Sequence, residues 1–274
     1  MEFILKIIIY IVFTTLFFNL NLSADDKYSN LVFNTHEAIY NLNIGKVTNS
    51  SKVHNAIGQM HLSVRDVCDG WAVNQNTSID ITDKNGSQVR NTFRYSSWES
   101  KNHDIFRFTS KVIINDEEVI TYEGKSFKNN NIAEVIYIKP TNRVIEIPKE
   151  TLYPMQHFFK ILNNDLSGKF LNSIVFTGED EDSLNNVTSF VLDKINKYKI
   201  IRSANFAYDN VISKPKNEIE ILVNSMDGVV HKVVFDYFEY QIIGSLEEYN
   251  YLDKPNCKIF LRIIFFTSFQ LLTL

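Results

Sequence analysis

Residues 77–95, TSIDITDKNGSQVRNTFRY, decide the fold class. Two runs, 77–82 and 88–95, carry β-branched, aliphatic and aromatic side chains at alternating positions, and Asp83-Lys84-Asn85-Gly86 lies between them. Asn-Gly in this setting predicts a hairpin with a type I′ turn, whose two central residues take positive φ. The pattern repeats outward. Runs 105–114 and 118–123 flank Asn115-Asp116, and 132–138 and 143–147 alternate apolar with polar residues. Runs 217–224 and 229–236 flank Met226-Asp227-Gly228, and 237–246 continue with aromatic and β-branched residues. Strand signals recurring about every 10–12 residues are the rhythm of an antiparallel sandwich or barrel.

One segment departs from period two. In 151–168, TLYPMQHFFKILNNDLSG, the residues Met155, Phe158, Phe159, Leu162 and Leu166 share one helical face. Pro154 suits the first turn and Gly168 the stop, so a helix is expected over 151–167. No linker rich in Pro, Gly or Ser and no internal repeat divides the chain. The expectation is a single, mainly β domain over 25–257, an antiparallel sheet curved against one packed α-helix.

Composition sets the outer bounds. Of 274 residues 45% are hydrophobic, enough for a sizeable core, which excludes global disorder. The 28 basic and 32 acidic residues give −4, which argues against a nucleic-acid surface. Residues 1–24 read as a secretory signal: Lys6, the apolar stretch 7–18, then Leu22-Ser23-Ala24 with cleavage expected after Ala24. An uncleaved anchor is the alternative. Residues 258–274, KIFLRIIFFTSFQLLTL, form an apolar extension. It reads as a membrane contact, a last core strand or a dispensable tail, and Arg262 near its middle counts against burial in lipid.

The chemistry-bearing residues are few. In an exported chain Cys68 and Cys257 point to one disulfide spanning 189 positions. Such a closure stabilises by about 4–5 kcal/mol in the chain-entropy model. Free thiols or a redox pair are the alternatives, and the close Cys-x-x-Cys spacing of a redox site is missing. In Cys68-Asp69-Gly70-Trp71, Gly70 permits a turn with positive φ. Trp71 opens the alternating run Trp71, Val73, Gln75 and reads as a core side chain rather than a ligand-stacking one. His157 reads as a structural helix histidine, since the six His show no metal-ligand spacing. Glu179-Asp180-Glu181-Asp182 reads as a solvated turn lacking the order of a calcium loop. In Trp98-Glu99-Ser100-Lys101, Glu99 reads as a charged strand edge, because no second acid stands at a fixed spacing. The serine-hydrolase elbow, the zinc-protease motif, the P-loop and the dinucleotide fingerprint are all missing. No catalytic, metal or cofactor set is assigned.

Taken in order, several strings resemble the cell envelope integrity protein EipB family, periplasmic proteins of alphaproteobacteria. They are His36-Glu37-Ala38-Ile39-Tyr40-Asn41-Leu42, Cys68-Asp69-Gly70-Trp71-Ala72-Val73-Asn74-Gln75 and Trp98-Glu99-Ser100-Lys101. They continue at Glu150-Thr151-Leu152-Tyr153-Pro154-Met155-Gln156-His157, at Val175-Phe176-Thr177-Gly178 and from Asp236-Tyr237 through Pro255-Asn256-Cys257. The resemblance implies an open barrel or β-spiral of many antiparallel strands with a helical element. It implies Cys68 and Cys257 as the family's disulfide pair, and Asp69, Gly70, Trp71, Trp98, Glu99, Pro154 and His157 as structural motif residues. It further implies a periplasmic, non-enzymatic role in envelope maintenance, exerted on a protein partner or an envelope component. The fold's similarity in outline to carriers of lipids and lipoproteins makes a lipid or lipopeptide carrier the alternative, with the barrel interior as its site. A glycan hydrolase is a third reading and needs two carboxylates facing across a cleft. Two features depart from the family: the 17 residues after Cys257, and an Asn, Lys and Ile bias like that of a reduced, AT-rich genome.

Overall fold

The computed structural model describes residues 33–129, 132–164, 166, 168–208 and 214–257. The expected signal, residues 1–24, and the extension, residues 258–274, lie outside the described residues. In chain order the elements are β1 (His36–Val47), β2 (Val53–Asp66), β3 (Gly70–Asp83), β4 (Gln88–Ser100), β5 (Ile105–Ile114), β6 (Glu117–Lys128), β7 (Ala133–Lys139) and β8 (Arg143–Ile147). Then come α1 (Pro154–Asn163), β9 (Leu171–Phe176), β10 (Leu184–Ile195), β11 (Tyr198–Ala207), β12 (Asn217–Asn224), β13 (Val230–Asp236) and β14 (Tyr240–Tyr251).

These strands form one antiparallel sheet in the order β8-β7-β6-β5-β4-β3-β2-β1-β14-β13-β12-β11-β10-β9. The chain starts in the middle of the sheet and steps outward to one edge at β8. It passes through α1 to the opposite edge at β9, then steps back until β14 pairs with β1, His36 opposite Tyr251. Leu152, in the segment after β8, bridges to the β9 edge. The N–H of Leu152 donates to the carbonyl of Ile174 at 2.7 Å, and its carbonyl accepts from Phe176 N–H at 3.0 Å. The mainly β open barrel with one packed helix is therefore the observed fold.

Period two sets the inner face. Ala38, Tyr40 and Leu42 on β1 and Ala56 and Met60 on β2 are buried, while Ile57 between the latter two is 56% exposed. A second buried group joins Phe106 and Phe108 of β5, Val135 and Tyr137 of β7, Tyr153 and Phe176. The apolar side of α1 is shared between two clusters. Met155 packs with Phe33 and Val64, and Ile161 and Leu162 pack with Ile201 and Val223.

Several boundaries differ from those expected. The helix starts at Pro154, because Leu152 uses its backbone groups in the bridge to β9 and Pro154 disfavours helical geometry in the residue before it. It ends at Asn163, and Gly168, at φ +69°, sits in a later turn. The β3–β4 hairpin does not use a type I′ turn. Gly86 has φ +85° but Asn85 is not in the left-handed region. Instead the Asp83 carboxylate accepts from the N–H groups of Asn85 and Ser87. The paired positive φ values occur at Asn115 and Asp116, +49° and +68°, between β5 and β6. Strand β14 starts at Tyr240, because Tyr237 to Glu239 form the turn after β13.

Candidate ligand cavity

The motif residues fall into two groups. Around the β2–β3 turn, Cys68 and Cys257 lie at disulfide distance, with Cα atoms 5.5 Å apart. The positive φ of this turn falls on Cys68, +72°, not on Gly70. The Cys68 N–H donates to Asp66 Oδ1 at 2.9 Å. Asp69 is exposed, and its carbonyl accepts from Lys101 N–H at 3.0 Å. Gly70 is required for a different reason: a Cβ there would sit 2.5 Å from Trp98 Nε1 and 2.6 Å from the Glu99 carbonyl. Trp98 lies on the outward face beneath the Arg107 guanidinium, 5.1 Å away. Trp71 points inward, with ring centroids 5.2 Å from both Phe33 and Phe159, and the Lys101 ammonium 3.4 Å over its ring. Trp71 is thus a core residue that joins the sheet to the helix.

The second group surrounds the start of α1. Glu99 is 1% exposed, so its reading as a charged strand edge is corrected. It shares inward parity on β4 with Tyr95. Its Oε2 accepts from Met155 N–H at 2.8 Å and its Oε1 from Gln156 N–H at 2.9 Å. His103 Nδ1 lies 2.5 Å from Oε1. The N-cap residue Tyr153 offers no side-chain acceptor, the first turn has no acid of its own, and Pro154 has no N–H. A carboxylate from a neighbouring strand therefore caps the helix and meets the positive end of its dipole. The sequence signal was parity: Glu99 follows Phe93 and Tyr95 at intervals of two.

His157 points its Nε2 into protein without a hydrogen-bond partner. Burial, and then Lys160, push the ring down to about 4. The folded state thus keeps this ring neutral where the unfolded chain binds a proton. Its contribution is full above the ordinary histidine range near 6.5 and is lost as pH falls toward about 4. His157→Gln is expected to flatten the acid side of the stability profile by on the order of 2–3 kcal/mol. Urea unfolding of both proteins across that range checks this, and parallel profiles would contradict it.

The inner face does not close completely. A cavity of about 400 Å³ lies between β1–β5 on one side and β12–β14 on the other. Its apolar wall includes Leu42, Met60, Ile79, Ile219, Phe235 and Ile242. Gln75, Thr77, Asn91, Asn217, Tyr237 and Tyr240 add neutral polar groups, and Glu179 is the one charged side chain among the described lining residues. A size in the range of ordinary small-molecule sites, with an apolar wall beside a substantial polar set, suits an apolar ligand with a polar end.

Glu179 reaches the cavity because the 177–183 loop folds against the inner face. Tyr95 Oη donates to the Thr177 carbonyl at 2.8 Å, and Ser110 Oγ donates to the Glu179 carbonyl at 2.5 Å. Gly178 has φ +70°, and a Cβ there would meet the Phe108 ring at 2.4 Å. Ser183 closes the loop through the Asp180 carbonyl at 2.5 Å. Glu179, Asp180, Glu181 and Asp182 are all exposed, as a solvated turn leaves them, and Glu179 in addition lines the cavity. Burial, then Asp180, push its carboxyl up to about 7, with Lys216 pulling the other way. Among the described residues no three His, Cys, Asp or Glu side chains are grouped to hold a metal ion.

The chain is similar to a beta-barrel-like protein of a domain of unknown function from Brucella abortus, seen in a crystal structure. The identity is 18% and the TM-score 0.74, over 81% of this chain and 100% of that one. No curated protein matches the sequence. The EipB-like family model matches residues 27–221, which include the inward files of β1–β5, the Glu99 cap and the Glu179 loop. Over that span, more than two thirds of its length, the chain belongs to the EipB-like family.

Proposed function

We propose that this is an exported periplasmic protein of the cell envelope, without enzymatic activity, that holds a single-chain lipid or the acyl part of a lipopeptide inside its sheet. The cavity carries this reading: about 400 Å³ with mainly aliphatic and aromatic walls. Family membership and the Cys68–Cys257 pair support export and an envelope setting. The glycan-hydrolase reading loses support, because the described lining residues contain one carboxylate rather than two. The full-length protein, exported and purified from the periplasm, is expected to bind the apolar fluorophore 1-N-phenylnaphthylamine with a Kd of roughly 1–10 μM. Ile219→Trp, which fills the cavity, is expected to weaken that binding about tenfold or more. Lack of fluorophore binding, together with a ligand-free mass in native mass spectrometry, would sink the proposal.

A protein partner is the second reading. It draws on Phe170, 69% exposed and edge-on to Phe190 at 5.4 Å, with Leu192 and Ile195 exposed on the neighbouring β10. Retention of the envelope phenotype by a folded Ile219→Trp protein would favour this reading.

A further inference from the structure

We propose that Glu179 sets the head-group preference of the cavity, so that it accepts amphiphiles whose head donates hydrogen bonds, amines above all and then alcohols, and discriminates against anionic heads. This rests on the reading of the cavity as a ligand site and adds the chemistry of the ligand's polar end.

Three observations carry it. The first is placement. Glu179 is held at the cavity by its own backbone, through the Ser110 hydroxyl on its carbonyl and the Tyr95 hydroxyl on the Thr177 carbonyl. Its side chain is left facing the open space. Gly178, in the left-handed region against Phe108, fixes the direction in which the loop enters. The second is charge. No Lys, Arg or His is among the described residues that line the cavity. The cation that acts on Glu179, Lys216, lies outside the lining, its ammonium donating to the Asp182 carbonyl at 3.0 Å. A carboxylate or phosphate head inside the cavity would therefore meet Glu179 with no lining cation. An ionised head left unpaired in such a site is costly, whereas an ammonium against a carboxylate gains a charge-assisted hydrogen bond. The third is the neutral polar set. Tyr237 and Tyr240 lie on the β13–β14 side, and Gln75 and Thr77 on β3. They supply hydrogen-bonding groups beside the acid but no compensating positive charge. The aliphatic wall from β1, β2, β12 and β14 leaves the rest of the space for a hydrocarbon chain.

The groups that act on Glu179 come from four elements. Asp180 belongs to its own loop, Lys216 precedes β12, Tyr237 follows β13 and Tyr95 is on β4. Tyr95 and Tyr237 are both held above the ordinary phenol range, first by burial. They stay neutral wherever Glu179 titrates. The carboxyl, pushed up to about 7, changes charge near neutrality. The preference for an amine is therefore expected to be strong in mild alkali, where the acid is ionised, and to weaken in mild acid.

The test is displacement of 1-N-phenylnaphthylamine from the full-length protein by dodecylamine, dodecanol and dodecanoate, below their aggregation limits. At about pH 8.5 dodecylamine is expected to displace the fluorophore at a concentration roughly tenfold or more below that of dodecanoate, with dodecanol between them. Glu179→Gln, similar in shape, is expected to shrink that ratio to about threefold or less. In the unaltered protein at about pH 5.5 the ratio should shrink in the same direction, which tests the idea without a variant. Equal displacement by all three, or dodecanoate as the best competitor, would overturn the head-group proposal while leaving the cavity as a ligand site. A fluorophore that never binds would overturn both.

Discussion

Cys68→Ser is expected to lower the unfolding free energy of the oxidised protein by about 4–5 kcal/mol, since a closure of this length removes much entropy from the unfolded chain. The two sulfurs join the β2–β3 turn to the segment just after β14, a separation of 189 positions. The folded state holds these places together by other means as well. Thr35 Oγ1 donates to the Leu252 carbonyl at 2.9 Å, and Leu252 N–H donates to the Thr35 carbonyl at 2.9 Å. Reduction should therefore act mainly on the unfolded ensemble rather than distort the sheet. Cys257→Ser and the double variant should match Cys68→Ser, because each removes the same tie. Urea unfolding of the three variants in non-reducing buffer, beside the unaltered protein with and without dithiothreitol, checks this. An unchanged midpoint for Cys68→Ser would show that the tie does not operate.

Glu99→Ala should have the next largest effect, a loss of roughly 2–4 kcal/mol. It leaves the N–H groups of Met155 and Gln156 without an acceptor and removes the partner of His103. Glu99→Gln keeps one oxygen as an acceptor and should lose about half as much. Hydrogen exchange separates a capping role from simple packing. In Glu99→Ala the amides of Met155 and Gln156 should lose protection before those of β4 do. Full protection of both amides in that variant would mean the helix start is held by something other than Glu99.

The hairpins were legible because local pattern determines them. Residues 77–95 gave two strands and a turn, and the structure differs only in turn type, since Asp83 supplies a side-chain acceptor that Asn85 does not need to replace. The helix was legible from its apolar face, but its start was not. Leu152 fits a helical pattern as well as an extended one, and what decides is its pairing with Ile174 and Phe176 across the seam. The hairpins set much of the strand order, but the pairing of β1 with β14 could not be read, because no property of either strand taken alone marks them as partners. Glu99 was misread for a simpler reason. An acid at the end of a strand is usually solvated, and only the parity shared with Tyr95 pointed inward. Glu179 shows the same limit. Like Asp180 to Asp182 it is exposed as a solvated turn would be. What the run did not show is its place at the cavity, which depends on hydroxyls of Tyr95 and Ser110, distant in sequence.

The strand order also bears on how the chain finds its fold. Within β1–β8 and within β9–β14 each strand pairs with its neighbour in sequence, so both meanders can grow by short-range contacts. The ladder between β1 and β14, from His36 opposite Tyr251 to Val47 opposite Tyr240, joins them across nearly the whole described chain. Non-local pairing of this kind is the slow step in sheet proteins, because closure entropy is lost before the contacts compensate for it. The Cys68–Cys257 link lies beside one end of that ladder. A chain oxidised before its sheet is complete would search for this register locally, so the bond is expected to speed assembly as well as stabilise its product.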